Sequence, residues 1–137
     1  MSVSHRSLRR LLLAGAAVLA LTAAWQARSA GTADPEALRA KQAIEAAIAK
    51  DPGNSELWLH LGFACKKLDD VEGSQNAFEK AVSLNPRSAS AHYMLGLIYE
   101  KKKLKEQAIA SWKACLANAT DDQMKEIARK HLAHLQK

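Results

Sequence analysis

The chain has 137 residues, 48% of them apolar and 25% charged, with a formal net charge of +6. That is enough for one small domain with its own core and too little for several. The positive balance is concentrated at the front: residues 1–30 hold four of the twenty Lys and Arg and none of the fourteen acids. The remainder therefore stands near +2, which makes no case for nucleic acid, a partner that wants a concentrated basic face.

The first element is a leader. His5, Arg6, Arg9 and Arg10 precede residues 11–24, a run of fourteen residues with no charge and one threonine, Thr22. Charge, length and position are those of an export signal. As a helix the run reaches only about 21 Å, short of a hydrocarbon core of roughly 30 Å. Small residues allow a cut after Ala24 or after Ser29, and an uncleaved membrane anchor is the alternative. No cysteine follows the run, which excludes a lipoprotein signal, and Arg9-Arg10 is a generic feature of basic starts. The expected localisation is outside the cytoplasm, in a periplasm or cell envelope. Any membrane contact is expected through this segment alone.

Six antiparallel helices are predicted after it. Asp34-Pro35-Glu36 starts the first with a cap, a first-turn proline and an acid near the positive helix end. Ala37, Ala40, Ile44, Ala47 and Ile48 follow at helical spacing until Asp51-Pro52-Gly53 stops it. Asn54 or Ser55 caps the second, Asn85-Pro86 ends the third, and Ser88 caps the fourth. The expected spans are 35–50, 55–67, 70–84, 88–102, 105–118 and 121–136. Asp69-Asp70 and Asp121-Asp122 look like paired catalytic carboxylates, but each pair opens a helix, where acids cap and favour the dipole.

A 34-residue period runs through these elements. Asp51-Pro52 recurs as Asn85-Pro86, Leu61-Gly62 as Leu95-Gly96, and Ala47-Ile48 as Ala81-Val82. A fixed period of this size means stacked helical pairs. Gly62 and Gly96 lie inside helical runs, where glycine costs roughly 1 kcal/mol; this is tolerated when a neighbouring side chain must pack on bare backbone. The first copy reads Trp58-x2-Leu61-Gly62-x2-Cys65, then Ser74-x3-Phe78, Ala81 and Pro86. The second reads His92-x2-Leu95-Gly96-x2-Tyr99, then Ala108-x3-Trp112 and Cys115, with Thr120 in the proline slot. A fragment, Ala40-x3-Ile44, Ala47 and Pro52, precedes them. The pattern resembles the tetratricopeptide repeat (TPR) family over residues 35–122.

The resemblance implies an all-α, right-handed superhelix: a half-repeat at 35–54, repeats at 55–88 and 89–122, and a closing helix at 121–136. That last helix is no third repeat, because the register would put Arg129-Lys130 where Leu-Gly belongs. Its own stripe of Met124, Ile127, Ala128, Leu132 and Leu135 suits a cap that is apolar inside and wet outside. The resemblance also implies that the first helix of each repeat lines a concave, partner-binding face. On the helix from Ser55, Leu57, Trp58, Leu61 and Ala64 suffice for packing and leave Leu59 and Phe63 over. On the helix from Ser88, Tyr93 and Leu97 are left over in the same way. These four are expected to form an apolar strip, edged by Glu56, Lys66, Lys67, Glu100 and Lys101. The alternative is that flanking helices bury it. Leu59 and Phe63 fill slots where some relatives carry a carboxylate-gripping Lys and Asn, so an apolar or amphipathic segment is the expected ligand.

No catalytic, cofactor or metal constellation is evident. His131 and His134 stand one turn apart without a third ligand and read as surface residues. Cys65 and Cys115 fall in slots too far apart for a disulfide and read as buried small residues. No C-x-x-C occurs. Asn118-Ala119-Thr120 is a glycosylation acceptor only in a eukaryotic secretory route. Lys101, Lys102, Lys103 and Lys105 crowd the turn inside the second repeat, as a solvated turn or as a rim attracting an acidic segment. The expected function is that of an exported, non-enzymatic adaptor binding another protein or peptide in envelope assembly or maturation. A self-associating scaffold is the alternative.

Overall fold

The structure, a computed structural model, describes residues 34–137. They form six helices: α1 Pro35–Lys50, α2 Ser55–Lys67, α3 Val71–Leu84, α4 Ala89–Lys101, α5 Lys105–Asn118 and α6 Asp122–Leu135. No strand occurs among the described residues. The fold is the all-α solenoid expected, with helix bounds within a residue of the predicted ones. The leader reading of residues 1–30 lies outside the described residues.

Local chemistry accounts for most helix starts. Asn54 accepts from the Glu56 backbone N–H, Asp70 from Gly73, Ser88 from Ala91, and Asp121 from Gln123 and Met124. Each satisfies donors that the first helical turn leaves open. Leu104, at the start of α5, has no side chain that can do this.

The two turns inside the repeats are the same structure, 34 residues apart. The Asp70 N–H reaches back to the Cys65 carbonyl at 3.0 Å, and the Leu104 N–H to that of Tyr99 at 2.9 Å. The residues between take left-handed backbone, with φ of 56° at Asp69 and 60° at Lys103. This is the Schellman ending of a helix, with aspartate and lysine where glycine is usual. Links between the repeats recur as well. The Trp58 indole N–H donates to the Pro52 carbonyl at 2.9 Å, and His92 Nε2 meets the Pro86 carbonyl at the same distance. A carbonyl only accepts, so His92 carries its proton on Nε2 and takes over the work of the indole.

Tertiary packing explains the glycines. A Cβ on Gly62 would stand 2.5 Å from the Phe78 ring, and one on Gly96 would stand 2.6 Å from the Trp112 ring. Both rings are fully buried. The Ser74 hydroxyl seals the first contact by donating to the Gly62 carbonyl at 3.0 Å. Successive helices run antiparallel: Gln75 at the start of α3 accepts from Lys102 just past α4, and Glu79, one turn on, accepts from Tyr99.

One core cluster runs from Leu59 in α2 to Leu132 in α6, and a second joins Ile48 of α1 to Leu61, Cys65 and Ala77. α6 lays Ala128 and Leu132 into the core, with Met124, Ile127 and Leu135 half-buried around them, which is the closing stripe expected.

Candidate functional site: a cleft between the first repeat and α4

Helix α4 packs across the turn that joins α2 to α3 and leaves a cleft of about 220 Å³. Val71, Met94, Leu97 and Ile98 give it an apolar lining, to which Ser74 adds a hydroxyl. Lys66 and Lys101 border it, with Asp69 at the turn. The lysines come from equivalent ends of α2 and α4, so the repeat itself brings them together. Neither forms an ion pair among the described residues. The cleft therefore offers an apolar slot beside two uncommitted ammonium groups, with one carboxylate among them.

Of the seven residues expected to meet a partner, Lys66, Leu97 and Lys101 line this cleft. Phe63 is 37% exposed and lays its ring edge-on against Phe78, with centroids 5.2 Å apart. Tyr93 is half-buried, edge-on to Trp112 at the same separation.

Two residues depart from expectation. Leu59 is only 8% exposed and belongs to the core cluster with Ala91 and Met94. Its position on α2 faces neighbouring helices, so the alternative, a strip buried by flanking helices, holds for this residue, while Tyr93 and Leu97 are half-buried. Glu100 is no free rim charge either. Its carboxylate accepts from the Trp112 indole and lies 2.7 Å from His131 Nδ1. His131, read from sequence as a surface residue, is half-buried and stacks on Trp112, with centroids 4.3 Å apart and planes inclined by 16°. Glu100 and His131 thus tie α4 and α6 to the central indole. No periodic pattern signals this, because it joins a repeat to a helix outside the register.

Met94, Ile98 and Val71 were missed as lining residues. On sequence they are packing positions, and only the offset between α3 and α4 uncovers part of them.

A second depression of about 300 Å³ lies over α3, α4 and α5, bordered by Glu79, His92, Tyr99, Gln107 and Ser111. Burial, and then donation to Glu79 at 2.8 Å, push the Tyr99 phenol up to about 12. It stays neutral across the physiological range. Cys65 and Cys115 are both free and buried, as expected. Burial is the first reason that each thiol is pushed up, so neither is a ready nucleophile at neutral pH. Among the described residues no group of three potential metal ligands comes together, and no helix is long and apolar enough to cross a membrane.

Residues 66–122 match the tetratricopeptide repeat family. The match runs from the last two residues of α2 to the first of α6 and includes the second Schellman turn and the Gly96–Trp112 contact. No curated protein matches the chain.

Proposed function

We propose that this chain, a tetratricopeptide repeat protein, works as an exported adaptor that seats a segment of another protein in the cleft beside α4. Protein–protein interaction is the general business of the family, and the cleft supports the finer reading. The apolar lining of Val71, Leu97 and Ile98 suits an apolar side chain of the segment. An acidic neighbour on the same segment meets Lys66 and Lys101, which no acid of the domain engages. Phe63, exposed on the same helix as Lys66, extends the apolar contact toward the start of α2. The observation that carries the reading is this pairing of apolar lining and free lysines in one cavity. The charge run and apolar segment of residues 1–30 support action in the cell envelope, in assembly or maturation of a larger complex. The absence of any clustered nucleophile, base or metal set among the described residues gives no support to a catalytic role.

Site-specific crosslinking tests it. A photoreactive phenylalanine analogue at Phe63 or Leu97 should capture one envelope protein in living cells. The same analogue at Lys113, exposed on α5, should not. Lys66→Glu with Lys101→Glu should abolish the capture. Equal capture from all three positions would defeat the assignment.

A further inference from the structure

The turn between α4 and α5 departs from local preference at three adjoining points. Lys103 holds left-handed backbone at φ 60°, where a side chain is disfavoured. Leu104 occupies the helix-start position at which its counterpart Asp70 accepts from Gly73, and it caps nothing. Leu104 is also 37% exposed, one of four large apolar side chains left in solvent among the described residues. Around it stand Lys101, Lys102, Lys103 and Lys105, all exposed and none in an ion pair among the described residues. The counterpart turn carries two aspartates instead, Asp69 and Asp70. The left-handed backbone at Lys103 closes α4 as Asp69 closes α2, but the exposed, non-capping Leu104 among unpaired lysines has no such folding role and marks a surface shaped by something else.

The topology says what that surface faces. Antiparallel packing puts the α4–α5 turn on the same edge of the array as the start of α3, where Lys102 reaches Gln75. The start of α1 lies on this edge too, since α1 and α2 are joined by a short turn and pack antiparallel through Ile44 and Ile48 against Leu61 and Cys65. The chain thus enters the domain on the edge that carries the basic turn, and the apolar run of residues 11–24 lies just upstream in sequence.

From this we infer that the α4–α5 turn docks on an anionic phospholipid surface, with Leu104 entering the interface and Lys102, Lys103 and Lys105 meeting headgroup phosphates. One apolar residue and three charges make a weak, salt-sensitive contact by themselves. In a chain that retains the apolar run of residues 11–24, they become the second of the two signals that stable membrane attachment needs. The inference does not depend on what the cleft binds.

The test uses the full chain with Leu104→Cys carrying an environment-sensitive fluorophore; the native thiols are buried. Leu84→Cys, exposed at the opposite end of α3, serves as control. On vesicles of equal parts phosphatidylcholine and phosphatidylglycerol, emission from position 104 should shift to the blue and that from position 84 should not. Pure phosphatidylcholine should give no shift at either position, even though the apolar run can bind it. Lys102→Glu with Lys105→Glu, checked for an unchanged helical circular dichroism spectrum, should raise the lipid needed for half the shift at least about tenfold. Salt near ~1 M, which shortens screening to roughly 3 Å, should do the same. A shift on neutral vesicles, a shift at both positions, or no shift at all would overturn the inference. So would an equal shift with soluble polyglutamate, which would assign the turn to an acidic protein.

Discussion

Two glycines and one tyrosine show how much single residues decide here. Gly62 and Gly96 are the only way Phe78 and Trp112 can lie flat on a helix backbone, since a Cβ would sit inside contact distance of either ring. Gly62→Leu and Gly96→Leu should each destabilise by about 1–3 kcal/mol through overpacking. An exposed helical glycine would instead gain stability from the same change, so the sign of the shift in chemical denaturation decides. Tyr99 makes a pH prediction. Its folded pKa, about 12, lies above the ordinary tyrosine value of 10.0. The neutral phenol is thus the form the fold favours, and its contribution is fully present below pH 10. It is lost as pH rises through 10 toward 12. Tyr99→Phe should be less stable at neutral pH, because Glu79 loses a donor, and its stability should fall less steeply over that alkaline window. Equilibrium unfolding at a series of pH values measures both effects.

At the scale of the element, α2 shows that four-residue spacing does not make two residues equivalent. Leu59 and Phe63 stand one turn apart, yet one is 8% exposed and the other 37%. Leu59→Ala should therefore cost about 2–5 kcal/mol of stability, as core truncations do. Phe63→Ala should cost less, since its side chain is already partly in solvent and leaves a smaller cavity. If Phe63 anchors a partner, the same change should weaken binding by roughly 1–3 kcal/mol. Thermal unfolding of the two variants side by side checks the first contrast, and titration with the crosslinked partner the second. Helix α6 teaches a related lesson. Its apolar stripe was legible as a cap, but His131 was not legible as part of the seal. A histidine on a helix carries no sign of which neighbour it will meet. Stacking on Trp112 and the contact with Glu100 exist only because α4, α5 and α6 converge there.

For the whole molecule, the prediction concerns compartment. The basic start and apolar run read as an export signal, so an alkaline phosphatase fusion placed after residue 40 should be active. A fusion lacking residues 1–30 should be inactive, because the enzyme needs an oxidising compartment for its disulfides. An inactive full-length fusion would place the domain in the cytoplasm and remove the envelope part of the proposal. The cleft beside α4 and the basic turn after it lie on the same edge of the array, with Lys101 between them.

Sequence alone determined the number of helices, nearly all their bounds and the repeat register. Those follow from caps, proline stops and a 34-residue period, which act over a few residues or repeat identically. It also determined that Gly62 and Gly96 must be close contacts, because an interior glycine in a helix needs a packing reason. Tertiary structure decided which apolar residues stay open. Leu59 and Phe63 carry the same periodic signal, and only the placement of α4 separates them. It decided that Glu100 is engaged, and that Lys66 and Lys101 are free and face one cavity. It also set a leucine and a left-handed lysine at the tip of the basic turn. Each of these depends on how one helix is offset against another, and that offset is fixed by the fit of Phe78 and Trp112 into their neighbours rather than by any pattern along the chain.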